Sequence, residues 1–137
     1  RYEGPGYVFV AGGIGITPLM SMLRHMRDTG SSLPVVLIYA NPDENSITFR
    51  EELDEIAAGG SPSLDIVHIL SDPGEGWKGE TGRLDDEKLR NYCGDSFEDR
   101  GFYVCGPPGL VASTVGALKG FGVADRRIHT EIFTFLD

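Results

Sequence analysis

Three glycines crowd the segment Gly12-Gly13-Ile14-Gly15, directly after the apolar run Tyr7 to Ala11 and, with Ile16 between, just before Thr17-Pro18. Glycine has no Cβ, so backbone amides at such a place can approach a bulky anion. A helix opening at Thr17, with proline at its first position, adds the positive end of its dipole. The chemistry this favours is the cradling of a pyrophosphate, with Gly12, Gly13, Ile14, Gly15, Thr17 and Pro18 as the candidate contacts. A turn that merely needs positive φ is the alternative, and the strand before with the capped helix after favours the ligand. The spacing differs from G-x-G-x-x-G, and no acidic residue directly follows the second apolar run where ribose recognition would place it. An ordinary dehydrogenase is therefore disfavoured.

A second constellation, Cys105-Gly106-Pro107-Pro108-Gly109, ends another apolar run and opens another helix. An unpaired cysteine in that position is either part of a site or a small buried hydrophobe. Glu131 and Phe133, two residues apart on a final strand, share one face, and a carboxylate beside an aromatic there favours a site. Trp77 is a loop anchor or an adenine-stacking surface, the anchor being commoner. Arg50 reads as a surface ion pair with Asp54 on one helix face. His25, His68 and His129 have no ligand spacing, and no metal site is expected.

The elements that must position these loops follow from periodicity. Apolar runs at Tyr7 to Ala11, Val35 to Ala40, Asp65 to Leu70 and Gly101 to Cys105, with a last one from Arg127 to about Phe135, predict five strands. Helical spacing of Leu19, Met22, Leu23 and Met26, and of Val111, Val115 and Leu118, predicts helices between them. The pattern Thr48-x-x-Glu51 resembles a capping box for a helix whose core face is Phe49, Leu53, Ile56 and Ala57, and Asp85-Asp86 opens a short helix reaching about Tyr92. Ser71 to Arg83, rich in glycine, predicts a long loop. The alternation implies an α/β, doubly wound, three-layer domain over residues 1–137 with a five-stranded parallel sheet of order 3-2-1-4-5. In that order the connection reverses between the first and fourth strands, where ligands of open α/β sheets bind, and both glycine loops fall there.

Composition excludes other classes. With 137 residues the chain fills one core, and 21 acidic against 12 basic side chains give a net charge of −9 that argues against nucleic acid. No apolar run approaches the roughly 20 residues that a membrane-spanning helix needs. The two cysteines, Cys93 and Cys105, have no C-x-x-C spacing, which fits a reducing, cytoplasmic setting and excludes a four-thiolate iron-sulphur site in this chain.

Ala11-Gly12-Gly13-Ile14-Gly15-Ile16-Thr17-Pro18 together with Tyr103-Val104-Cys105-Gly106-Pro107-Pro108-Gly109-Leu110 resembles the ferredoxin-NADP⁺ reductase superfamily. The likeness spans nearly the whole chain and, with the ending His129-Thr130-Glu131-Ile132-Phe133, is nearest to oxygenase-reductase components and flavohaemoglobins. The resemblance implies that Thr17 and the amides of Gly12 to Gly15 contact pyrophosphate or nicotinamide. Gly106, Pro107, Pro108 and Gly109 would shape the opposite wall, Cys105 would sit by the nicotinamide, and Glu131 and Phe133 would lie near a flavin. It implies hydride transfer from NADH, or NADPH, to FAD or FMN, and onward electron transfer to an iron-sulphur, haem or oxygenase partner. Relatives preferring NADPH often place Ser-Arg after the third strand, where this chain has Ser71-Asp72, so NADH is expected. Lys78, Arg83 or Arg50 would favour a 2′-phosphate if the long loop folded over the ribose.

The family's flavin-binding barrel carries Arg-x-Tyr-Ser/Thr, which does not occur in these residues. Flavin is thus expected on a neighbouring domain of the parent protein, and this domain alone is expected to be inactive. The competing readings are a non-catalytic NAD(H)-binding or sensing module, and an adapter whose glycine loops are structural.

Overall fold

A strand buried on both faces needs apolar side chains at every position rather than at alternate ones, and residues 7–11 supply them: Tyr7, Val8, Phe9, Val10 and Ala11 are all buried. The computed structural model describes residues 6–94 and 99–133. In it this run is β1 (Gly6–Gly12), the middle of a parallel sheet. The chain continues through α1 (Ile16–Asp28), β2 (Pro34–Asn41), α2 (Arg50–Gly59), β3 (Ser63–Leu70) and β4 (Glu80–Thr81). It then forms α3 (Asp86–Cys93), β5 (Arg100–Gly106), α4 (Pro108–Gly120) and β6 (Ile128–Ile132).

The sheet has six strands in the order β4-β3-β2-β1-β5-β6, not five in the order 3-2-1-4-5. The added strand is β4, two residues long, which pairs with Ile69 and Leu70 of β3 at the sheet edge. The five longer strands keep the relative arrangement the sequence predicts, so the reversal still falls between β1 and β5. Every pairing is parallel. Phe135, taken as the approximate end of the last strand, lies outside the described residues, and β6 ends at Ile132.

Side chains alternate across the sheet into two cores. Tyr7, Phe9, Leu37 and Tyr39 pack with Leu19, Leu23 of α1 and Leu53, Ile56 of α2; Val8, Val10, Ile38 and Val104 pack with Leu89 of α3 and Val111, Leu118 of α4. Helices therefore cover both faces, giving three layers. A bidentate ion pair from Arg24 to Glu52, at 2.8 and 2.7 Å, links α1 to α2.

Two helix starts differ from expectation. Helix α1 begins one residue before Thr17, capped by Gly15, so Thr17 and Pro18 sit inside its first turn. Helix α2 is not opened by a capping box. Its N-cap is Phe49 in the left-handed region, φ 62°, while the Thr48 amide donates to the Tyr39 hydroxyl at 3.1 Å. Tertiary contacts decide this: the Arg24 guanidinium lies over the Phe49 ring at 5.1 Å, and that ring packs on the first core. Arg50 pairs with Glu44 at 2.8 Å rather than with Asp54. His129 is a surface packing residue, stacked on Tyr103 with ring centroids 4.6 Å apart.

Candidate functional site

Strands β1 and β5 run side by side in register Ala11 to Cys105, so their carboxyl ends deliver the two glycine loops to one place. There the loops interlock. A Cβ on Gly12 would stand 2.5 Å from Leu110 Cδ2 and 3.0 Å from Pro107 Cδ, and one on Gly106 would stand 3.1 Å from the Gly12 nitrogen. Gly15 has a different task, since its Cβ would drive into the Cys105 carbonyl; it lets α1 lie against β5. Gly13 alone in this loop combines positive φ, +53°, with open space where a Cβ would be. The three glycines thus divide into two that fit backbone to its neighbours and one that faces outward.

Two cavities open over this junction. The larger, about 470 Å³, is lined by Gly12, Gly13, Asn41, Ser71, Arg83 and Gly109 among others. The smaller, about 250 Å³, is lined by Gly12, Gly13, Ile14, Thr48, Pro107 and Phe133 among others. They share Gly12, Gly13, Asn41, Pro42 and Pro107, and so form one crevice with two lobes. A long ligand that reaches into both lobes suits that shape.

The structure brings Gly12, Gly13, Ile14, Ser71, Pro107, Gly109 and Phe133 to the crevice walls. Ile14 is 51% exposed, an apolar surface beside Phe133. Gly15, Gly106, Thr17, Pro18 and Pro108 do not line either cavity; the first two join the backbones, and the others occupy the first turns of α1 and α4. Asp72 is exposed, with its amide donating to the Pro42 carbonyl at 2.8 Å, and stands next to the lining rather than in it. Arg83 does line the larger lobe. Trp77 anchors its loop, donating from Nε1 to the Glu80 carbonyl at 3.0 Å.

Cys105 is 4% exposed and sits in register with Glu131 of β6, which is exposed. The Phe133 amide donates to the Gly106 carbonyl at 2.9 Å, tying the end of the last strand to the second loop. Burial first, and the Glu131 charge second, push the Cys105 thiol up to about 11; burial pushes Cys93 up to about 12. Both are neutral at physiological pH, so neither is a thiolate nucleophile, and Cys105 lines neither cavity.

These thiols make the fold sensitive to alkali. Above the ordinary thiol value of 9.0 the unfolded chain releases protons that the folded chain keeps, so raising the pH favours unfolding. The loss should run from pH 9 upward, to about 11 for Cys105 and about 12 for Cys93, at no more than about 1.4 kcal/mol per pH unit for each. Tyr92 and Tyr103, also raised by burial, enter only above their ordinary 10.0. Urea unfolding at pH 8, 9 and 10 checks this: Cys93→Ala and Cys105→Ala should each flatten the decline, and slopes equal to that of the unaltered chain would refute it.

Sequence reasoning overlooked Asn41, Pro42, Leu110 and Ser113 in the larger lobe and Ser46 and Thr48 in the smaller. For Asn41 a signal existed, because it ends a parallel strand beside the reversal, where such sheets bind ligands. Among the described residues no group of three or more His, Cys, Asp or Glu side chains is placed to hold a metal ion. No helix there is long and apolar enough to cross a membrane.

The chain is 38% identical over 117 residues to a nitrate reductase [NADPH] of Leptosphaeria maculans, covering 85% of this chain and 13% of that protein. It is 35% identical over 108 residues to NADH-cytochrome b5 reductase 2 of Meyerozyma guilliermondii, covering 78% and 37%. It therefore spans well under half of either relative. The flavohem-like FAD/NAD-binding domain of nitric oxide dioxygenase from Vibrio cholerae superposes with a TM-score of 0.83 at 27% identity, over 97% of this chain and 52% of that one. Both glycine loops and five of the six strands lie wholly or mainly within residues 9–116, which match the family described as "Oxidoreductase NAD-binding domain", and the chain belongs to that family.

Proposed function

We propose that this domain binds NADH in the two-lobed crevice and presents its nicotinamide to a flavin, FAD or FMN, held mainly by a neighbouring domain of the same parent protein. Electrons then pass to an iron-sulphur, haem or oxygenase partner, in a cytoplasmic setting. The observation that carries the reading is the waist of the crevice, meaning the wall common to both lobes, to which Gly12 and Gly13 of one loop and Pro107 of the other all contribute at the β1–β5 reversal. The outward-facing Gly13, with room for a ligand at its missing Cβ, fits a pyrophosphate at that waist.

When bound, the flavin supplies the two-electron acceptor for the hydride, and this chain's residues supply position and polarity. In this reading Gly12, Gly13 and Ile14 hold the pyrophosphate side, with Gly15, Thr17 and Pro18 in the turn that supports them, while Pro107 and Gly109 form the facing wall and Gly106 and Pro108 hold that second loop in place. Phe133 bounds the nicotinamide end, close to the strand end that carries the buried, neutral Cys105 and, in register with it on β6, the Glu131 carboxylate. Ser71 and Asp72 lie toward the adenosine end.

Calorimetric titration with NADH, NADPH, AMP and 2′-phospho-AMP tests the proposal. Saturable binding of NADH or AMP is expected; no binding of any of the four would reject it. The same titration separates the coenzymes. The Asp72 carboxylate opposes a 2′-phosphate, whereas Arg83 in the lining of the larger lobe favours one, so NADPH should bind more weakly than NADH without being excluded. Asp72→Arg should raise the NADPH to NADH affinity ratio by about tenfold, and Arg83→Ala should lower it by a similar factor, each being the removal or gain of roughly one charge contact. Ratios unchanged in both variants would place the 2′ position elsewhere.

A further inference from the structure

Asn41 ends β2 at 6% exposure, and neither its Nδ2 nor its Oδ1 has a hydrogen-bond partner among the described residues. Its main chain is tied down, the carbonyl accepting from the Ser71 amide at 3.1 Å, while the carboxamide is left unpaired. Buried polar groups are rarely left so without a reason, because each forfeits its hydration. Asn41 lines both lobes, and it is the single residue with a polar side chain among the described residues they share, the others being Gly12, Gly13, Pro42 and Pro107.

A carboxamide presents a donor and an acceptor, and the ligand at the waist must answer both. Phosphoryl oxygens satisfy only the NH₂ and set negative charge against Oδ1. A ribose diol offers hydroxyls that both donate and accept. Resting on the function proposed above, we infer that Asn41 is a specificity-determining residue that grips a ribose of the dinucleotide beside its pyrophosphate. Oδ1 accepts from one hydroxyl and Nδ2 donates to the other. The crevice then reads sugar as well as phosphate, and the domain carries an unpaired amide in the free state so that a nucleotide can pair it.

The test uses Asn41→Leu, which keeps the branched shape with apolar and somewhat bulkier ends, and Asn41→Ala, which removes the same groups without filling their place. Each is titrated with ADP-ribose, NADH and inorganic pyrophosphate, and its thermal midpoint is measured without ligand. Both variants should lose roughly 10- to 100-fold in affinity for ADP-ribose and NADH, the scale of two buried hydrogen bonds, with pyrophosphate binding unchanged. Asn41→Leu should also melt about 2 to 6 °C higher, since it removes an unpaired buried amide; a merely structural role predicts a lower midpoint and no selective loss. ADP-ribose affinity equal to that of the unaltered chain in both variants overturns the inference and leaves the proposed function standing. Pyrophosphate affinity falling in step with ADP-ribose overturns the ribose assignment. An unaltered chain that binds neither ADP-ribose nor NADH overturns the proposed function itself.

Discussion

Gly15→Ala should destabilise the domain by about 3 kcal/mol or more, a large part of the roughly 5–15 kcal/mol that holds a domain of this size together. Helix propensity argues the other way. Gly15 has φ −61° and ψ −10°, a conformation alanine adopts readily, and replacing a helical glycine by alanine ordinarily gains up to about 1 kcal/mol. The added Cβ, however, would drive into the Cys105 carbonyl oxygen, stand 2.5 Å from its carbon and 2.8 Å from the Gly106 nitrogen. All three atoms belong to the backbone of β5 beside the sheet's centre, so no side chain can swing aside. Either α1 lifts from the sheet or β5 shifts against β1, and each exposes part of a core in which Ile16, Leu19, Met20 and Leu23 are at most 1% exposed. Gly116→Ala is the control. It lies in α4 with nothing within 4 Å of the built Cβ, so propensity alone acts and the variant should be as stable or more so. Urea midpoints compared at fixed pH decide the matter: Gly15→Ala matching the unaltered chain would mean that α1 does not depend on this contact.

How much of this was legible in the sequence depends on how local each cause is. The long strands announce themselves because burial on both faces demands unbroken apolar runs, and their order follows from the parallel crossovers. β4 did not. It owes its existence to backbone pairing of Glu80 and Thr81 with Ile69 and Leu70, and two residues carry no periodicity. The start of α2 misled because Thr48-x-x-Glu51 satisfies a local rule, while the Tyr39 hydroxyl claims the Thr48 amide and the Arg24 guanidinium covers Phe49. At the site, missing Cβ atoms are visible in sequence, so the glycine loops could be found. Which glycine faces a ligand and which faces another strand could not, because that is settled by Cys105, Pro107 and Leu110 from a distant part of the chain. For Asn41 the place was legible, at the end of a parallel strand beside the reversal, but its state was not: an asparagine after an apolar run reads as a turn, and only the fold leaves its amide without a partner.

Gly13→Asp should abolish dinucleotide binding while leaving the domain folded. Gly13 has φ +53°, which aspartate and asparagine tolerate better than other side chains, so the backbone cost is about 1 kcal/mol. Nothing lies within 4 Å of the Cβ position, so no clash adds to it. The carboxylate would then occupy the wall common to both lobes, where the proposed pyrophosphate sits. Two like charges 4 Å apart near a protein surface repel by about 4 kcal/mol, and salt screens only part of this over so short a distance. A loss of at least about 100-fold in NADH affinity is therefore expected. Gly13→Asn has nearly the same shape without the charge and isolates bulk; it should lose no more than about tenfold. Adenosine, which has no phosphate, should be affected alike by the two variants if it binds. Calorimetry with NADH and adenosine, beside thermal melts of all three proteins, separates charge, bulk and folding. A folded Gly13→Asp protein that binds NADH as tightly as Gly13→Asn would place the pyrophosphate away from this loop, because a carboxylate cannot share a wall with that anion without a measurable penalty.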